Sequence, residues 1–299
     1  MKILIIGGSG QVSSRVAKVA LCQNHEVWAL TRGNRALPQG VHPITADRND
    51  PQSIKAALSG MTFDAALDCI CMNAEHARID LEAIVPHTGR IVVISTDSVY
   101  HPSFKRVPQD ENGEKYLADG SYGAKKREME QVFEKSDANY TLFRPGHIVG
   151  PGFAPGCFPE NMRQWDLPQK IRAGEPMRLV GGGTYLIHPI VADDLAQAML
   201  DCIENPNTYR QTFCIGGPDV VTNAEYFHLV GSILGAEVTI ESIPEDGYLQ
   251  NHPESSGQIC ERCYTLEKLR QSGVPLPKTS LEEGLRQMLS DLEQKGAPV

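Results

Sequence analysis

The chain has 299 residues, 41% of them apolar, and a formal net charge of −9. That length can bury a full core, and the acidic balance argues against a general binder of nucleic acid or anionic membrane. No apolar run approaches the ~20 residues of a bilayer span. The first strand-like run starts at residue 2, which leaves no room for a signal peptide, so a cytoplasmic protein is expected.

Lys2 to Ile6 is a short apolar run that stops at Gly7-Gly8-Ser9-Gly10, the pattern of a buried strand entering a tight turn. A helix follows over about 11–23, with Val12, Val16, Val19 and Ala20 recurring on one face. Strand, glycine turn and helix start together cradle phosphate, because glycine admits close backbone approach and the first helical N–H groups are unpaired. Gly7, Ser9, Gly10, Gln11 and Val12 are therefore expected to hold a dinucleotide. Ser13 stands where a third glycine is common and is small enough to keep helix and strand close.

A second strand over 25–30 ends in Thr31-Arg32-Gly33-Asn34-Arg35. An acidic residue there would favour NAD, whereas arginine pairs with a 2′-phosphate. Arg32, with Arg35 close by, thus predicts NADP(H) as preferred cofactor with NAD(H) still accommodated; the alternative is a solvated surface arginine. After a short strand over 41–45, Asp47 can accept from the adenine amino group, and Arg48 beside it joins the cofactor set. Asp50 before Pro51 has the form of a helix N-cap for a helix over 51–58. Strands are expected over 63–71 and 90–95. The alternation predicts an α/β fold, a doubly wound parallel (Rossmann) sheet binding ligands at the carboxyl ends of its strands.

The strand over 90–95 runs into Thr96, and some twenty residues later comes Ser121-Tyr122-Gly123-Ala124-Lys125-Lys126. Tyr122 and Lys126, four apart, share a helix face, and a nearby ammonium is expected to lower the phenol pKa toward neutrality. With the Thr96 hydroxyl on a substrate oxygen, the three make an acid/base site for a carbinol proton while nicotinamide moves hydride.

Eight cysteines are present. Cys69 and Cys71 fall in a strand-like run, and Cys22, Cys202 and Cys214 among core-patterned neighbours, as small buried hydrophobes do. Cys260 and Cys263 have the spacing of half a zinc site, with His252 upstream, but a second pair is missing and no metal is expected.

On these motifs, with Arg144-Pro145, Val149-Gly150-Pro151, Ile190-Val191-Ala192-Asp193-Asp194 and Leu281-Glu282-Glu283-Gly284-Leu285, nearly the whole chain resembles the short-chain dehydrogenase/reductase superfamily, in its extended epimerase/dehydratase branch. The resemblance implies that Tyr122 is the acid/base, Lys126 its tuner and a cofactor-ribose ligand, and Thr96 the substrate clamp, and it adds Pro145 to the cofactor contacts. Ser95 to Tyr100 is similar to sugar-nucleotide dehydratases, which place Asp then Glu after the threonine; here Asp97 is followed by Ser98, so dehydration is not expected. Nucleotide-sugar members carry an arginine where this chain has Ile187, and basic residues where it reads Pro253-Glu254-Ser255-Ser256-Gly257, which argues against a nucleoside-diphosphate sugar. Arg178 is a substitute anion grip or a surface residue. Leu30 to Gly33, Asp47 to Asp50 and Ile171 to Pro176 also resemble the chloroplast stem-loop-binding proteins, which are associated with RNA.

Residues 151–166, with Gly152, Phe153, Pro155, Gly156, Phe158 and Trp165, are expected to line a substrate pocket. With helices over 222–234 and 280–294 they predict a smaller C-terminal substrate lobe, 151–299, following a dinucleotide-binding core, 1–150, with part of 185–220 returning to the core. Asp97, Ser98, His147, Phe153 and His188 are the candidate substrate contacts, both histidines having a structural role as the alternative. The function expected is an NADP-preferring oxidoreductase acting on a secondary alcohol or ketone of a sugar-like or polyhydroxylated small molecule. Two alternatives stay open: a sugar epimerase with tightly bound cofactor, and a cofactor-binding RNA-interaction protein without turnover. The resemblance also leaves open a homodimer through the Tyr122 helix.

Overall fold

The computed structural model describes residues 1–157 and 159–296, and only the main chain of Glu254 and Ser256. Phe158 and the Glu254 side chain, both named above, lie outside the described residues.

In β1 (Lys2–Ile6) successive side chains face opposite sides. Ile3 and Ile5 pack with Val16, Ala17 and Ala20 of α1 (Gln11–Cys22), whereas Leu4 and Ile6 pack on the other side with Ile54 and Leu58 of α2 (Pro51–Leu58). All four β1 side chains are fully buried, each contributing roughly 1.5–3 kcal/mol. A strand apolar on both faces must sit inside a sheet covered by helices on both sides. Asp50 caps α2 as its sequence implies, accepting from the Gln52 and Ser53 N–H groups.

The sheet comprises β1, β2 (Glu26–Thr31), β3 (His42–Thr45), β4 (Ala65–Asp68), β5 (Ile91–Ile94), β6 (Tyr140–Pro145) and a seventh strand, Gln211–Ile215. Their order is Gln211–Ile215, β6, β5, β4, β1, β2, β3, and every neighbouring pair is parallel. This is the doubly wound arrangement. The order reverses between β1 and β4, which opens a crevice at the carboxyl ends of those strands. β4 stops short of the expected 63–71 because Asp68 turns its Oδ1 onto the Ile70 N–H at 2.6 Å, closing a turn. Cys69 and Cys71 therefore lie beyond the strand. After α3 (Ala74–Ile79), α4 (Tyr122–Glu134) covers the same face through Met129 and Phe133, and after α5 (Leu167–Arg172), α6 (Ala192–Asp201) packs beside α1.

A second core joins Leu167 and Ile171 of α5 to Ile187, to Tyr226 and Phe227 of α7 (Asn223–Leu234), and to Leu285 and Met288 of the helix Leu281–Gln294. Thr222 and Glu225 form a capping box at the start of α7. Among the described residues no helix is long and apolar enough to cross a membrane.

Candidate active site

The glycine turn is folded by contact with β2. Gly7 N–H donates to Leu30 O at 3.0 Å, and a Cβ at Gly8 would stand 2.7 Å from the Ala29 Cβ, so only glycine fits there. Ser13 does more than tolerate a glycine position: its Oγ accepts the Gly10 N–H at 3.0 Å and fixes the start of α1. The first turn of α1 carries no acidic side chain, which leaves the helix start favourable to an anion.

A cleft of about 580 Å³ opens beside this turn, lined by Gly7, Ser9 and Gly10, by Thr31 at the end of β2 and Arg32 and Arg35 beyond it, and by Asp47 and Arg48. Its position at the switch point, its close-approach glycines and its basic rim fit a dinucleotide. Arg32, Arg35 and Asp47 are exposed at the rim. Arg48 lines the cleft, but its guanidinium is turned down to Asp68 (3.0 Å), Asp80 (2.5 Å) and the His76 carbonyl (3.2 Å). Its charge therefore goes to the floor of the cleft rather than to a ligand. Asp68, Cys71 and Asp80 form the one cluster among the described residues with metal-ligand geometry, and Arg48 occupies both of its carboxylates. Gln11 and Val12 open α1 next to the cleft; Gln11 Nε2 reaches across to Gly152 O at 3.1 Å.

The acid/base candidates meet at the end of β5. Thr96 is buried, its Oγ1 accepting from Ser98 N–H at 3.2 Å. α4 starts at Tyr122 with Ser121 as its cap. It comes so close to the strand end that a Cβ on Gly123 would lie 1.9 Å from Ser98 O. That approach brings the Tyr122 hydroxyl close enough to Thr96 to lower its pKa, while the residue stands half exposed at the crevice mouth. Lys126 is buried, its Nζ 6.0 Å from the Tyr122 ring centre and donating to Cys71 O (2.6 Å) and Ile94 O (2.7 Å).

The expected lowering of the Tyr122 pKa is not what the structure has. Desolvation and the Asp97 charge push the phenol above its ordinary value, against the Thr96 hydrogen bond and the Arg163 and Arg262 charges. The Lys126 ammonium, itself lowered by burial, points at two carbonyls and leaves the phenol to other cations. Pro145 ends β6. Arg144 beside it is buried in a two-pronged pair with Glu130, at 2.8 and 2.7 Å, which braces α4 against the sheet.

The candidate substrate residues separate. Asp97 is 1% exposed, gripped by Arg262 Nε at 2.8 Å and by a second Arg262 nitrogen, and it accepts from the Tyr264 hydroxyl at 2.7 Å. Burial alone would raise its pKa, but Arg262 and Lys105 hold it below the usual value. Its carboxylate is thus already engaged, and Ser98 joins the same network, its Oγ 3.4 Å from Asp97 and from Arg262. His188 is committed to main chain: Nε2 meets Gly217 O at 2.8 Å, Nδ1 accepts from Tyr264 N–H at 3.3 Å, and the ring stacks on Tyr264. Phe153 is 1% exposed in the second core, so it supports the crevice from below. His147 is buried with its pKa pushed down to about 3, first by burial and then by Arg163 and Arg262, and it stays neutral. Ile187 is a buried member of the second core, and Arg178 pairs on the surface with Glu241 at 3.4 Å.

Three residues were not singled out from sequence: Arg163, Arg262 and Tyr264. The last two flank Cys263 and reach Asp97 from 165 and 167 positions away. No local spacing marks such a contact. Cys260 and Cys263 are free thiols, Cys260 accepting from Lys105 Nζ at 3.5 Å.

The model of the NAD dependent epimerase/dehydratase family matches residues 3–216. The chain is 27% identical over 237 residues to the chloroplast stem-loop binding protein of 41 kDa b of Arabidopsis thaliana, covering 74% of this chain and 60% of that protein's length. It is 26% identical over 339 aligned positions to a 2-alkyl-3-oxoalkanoate reductase of Stenotrophomonas maltophilia, covering 96% of this chain and 98% of that one. Its fold matches that of a UDP-glucose 4-epimerase from Thermotoga maritima, solved with UDP-glucose, at a TM-score of 0.79 and 18% identity over 99% of both chains.

Proposed function

This chain belongs to the NAD dependent epimerase/dehydratase family, and from that premise we propose that it is an NADP-preferring oxidoreductase acting on a secondary alcohol or ketone of a sugar-like or polyhydroxylated small molecule. The observation that carries this reading is the close approach of the start of α4 to the end of β5, which sets Tyr122 beside Thr96 with Lys126 one helical turn on. Residues 1–150 would hold the cofactor and 151–299 most of the substrate, while Gln211–Ile215 completes the sheet. NADP(H) is favoured by Arg32 and Arg35, both exposed at the cleft rim, where a 2′-phosphate would take charge-assisted hydrogen bonds.

In the reducing direction the substrate carbonyl oxygen lies against the Tyr122 hydroxyl and Thr96 Oγ1. The nicotinamide, when bound, supplies hydride to the carbonyl carbon. Tyr122, a phenol and so protonated at neutral pH, donates its proton to the forming alkoxide, and Thr96 holds that oxygen in place. The resulting phenolate regains its proton from solvent at the exposed crevice mouth. His147, neutral and buried, takes no part in the proton balance.

A second reading, an epimerase that retains its cofactor, is favoured by one contact: Gln11 bridges from the glycine turn to Gly152 and Arg163 of the loop above it. The deciding experiment is release and identification of any co-purifying cofactor, followed by titration with NADP(H) and NAD(H). Weak, exchangeable NADPH supports the reductase; retained NAD supports the epimerase and removes Arg32 from cofactor recognition.

A further inference from the structure

The loop above the glycine turn carries a cation with no carboxylate partner among the described residues. Arg48, Arg144 and Arg262 each hold a buried carboxylate. Arg163 has none. Its NH1 donates to Gln11 Oε1 at 3.0 Å, its guanidinium lies 5.1 Å from the Phe153 ring centre, and its Nε is buried without a hydrogen-bond partner. Its backbone takes φ of +54°, a conformation that a side-chain-bearing residue adopts only at a cost.

A half-buried, unpaired guanidinium on a strained residue is unfavourable in isolation, so its position asks for an anion. The contacts indicate where that anion lies. Gln11, the residue that Arg163 touches, opens α1 at the phosphate-cradling turn, and Gln11 Nε2 is tied to Gly152 O. Gly152 N–H in turn donates to Asp291 Oδ2 at 2.8 Å, which anchors the loop to the helix Leu281–Gln294. The guanidinium is thereby held next to the helix start whose first-turn N–H groups favour negative charge.

We propose that Arg163 is the counter-charge for an oxyanion held over the glycine turn, and that the oxyanion is the cofactor diphosphate. The loop residues Gly152 and Arg163 would then bind cofactor as well as shaping the substrate pocket. This rests on the cofactor reading above. The other source of the same chemistry is an acidic group on the substrate.

The test compares wild type, Arg163→Gln and Arg163→Lys by titration with NADPH, ADP-ribose, 2′-AMP and inorganic pyrophosphate, with thermal unfolding to confirm that each variant is folded. Loss of a charge-assisted fork predicts that Arg163→Gln weakens NADPH, ADP-ribose and pyrophosphate by about tenfold or more. Binding of 2′-AMP, which lacks the diphosphate, stays unchanged, and Arg163→Lys recovers part of the loss. Unchanged NADPH, ADP-ribose and pyrophosphate affinity, with loss only in a further titration of gluconate, an acidic sugar, into the NADPH-loaded protein, would overturn the diphosphate assignment in favour of a substrate acid. Unchanged binding of every probe would overturn the anion role altogether. Wild type that binds pyrophosphate through Arg163 but neither NADPH nor NADH would instead sink the cofactor reading and leave the anion site standing.

Discussion

Arg262 holds both carboxylate oxygens of Asp97 across 165 residues of chain, in a pair that water hardly reaches. The pair fixes the segment after β5 to the segment carrying Tyr264, and it partly offsets the negative charge that Asp97 presents to Tyr122. Breaking it from one side leaves a buried carboxylate uncompensated, which costs about 3–5 kcal/mol. Arg262→Gln should therefore lower the urea midpoint sharply, while Arg262→Met with Asp97→Leu recovers much of the loss. Because Arg262 holds the Asp97 carboxyl below its unfolded value near ~3.9, this stabilisation is complete above about pH 4 and is lost as pH falls through the folded value. Asp97→Asn should flatten that acid limb; an unaltered limb would mean the pair contributes nothing.

Tyr122 makes a kinetic prediction with a definite sign. Its pKa lies above the ordinary phenol value, so the proton needed for carbonyl reduction is present throughout the neutral range. The phenolate needed for alcohol oxidation is scarce and grows about tenfold per pH unit. Reduction should be nearly flat from pH 6 to 9, whereas oxidation climbs with a slope near one on a logarithmic plot. Tyr122→Phe should reduce turnover by about 10²–10⁴-fold with little change in NADPH affinity. Equal activity in the variant would take Tyr122 out of the mechanism.

What the sequence displays are the features set by near neighbours. The glycine turn, the β1 run, the Asp50-Pro51 cap and the Tyr122/Lys126 pair each follow from residues within a few positions of one another, and all four took the expected local form. Gly123 lies within that window, but its role is set by the nearness of Ser98 O, a contact that no local spacing marks. Asp97, Arg48 and His188 have the residue types of ligand contacts. What occupies them comes from Arg262, from Asp68 and Asp80, and from Gly217 and Tyr264, all distant in sequence. The direction of the Tyr122 shift has the same origin: spacing brings Lys126 near, but the carbonyls of Cys71 and Ile94 decide where its ammonium points.

Arg32 tests cofactor choice. It is exposed at the cleft rim with no carboxylate paired to it among the described residues. A 2′-phosphate contact there is worth roughly 1.5–3 kcal/mol. Arg32→Ala should raise the NADPH dissociation constant by about tenfold or more and leave that of NADH nearly unchanged. A constant ratio between the two would return Arg32 to the solvated surface.

His147 gives the clearest pH signature in stability. Burial, with the Arg163 and Arg262 charges, pushes its pKa down to about 3, whereas the unfolded chain protonates this histidine near ~6.5. Between those values the unfolded state binds a proton that the folded state does not, so stability rises with pH across that window by up to about 1.4 kcal/mol per unit. His147→Gln should remove one proton's worth of slope from the urea-derived stability between pH 4 and 6.5, at a pH-independent cost for the altered contacts. In the native protein the His147 ring resonances should stay at their neutral positions down to about pH 5. A ring that titrates near 6.5 in the folded state would place His147 in contact with water and restore it as a candidate acid/base group.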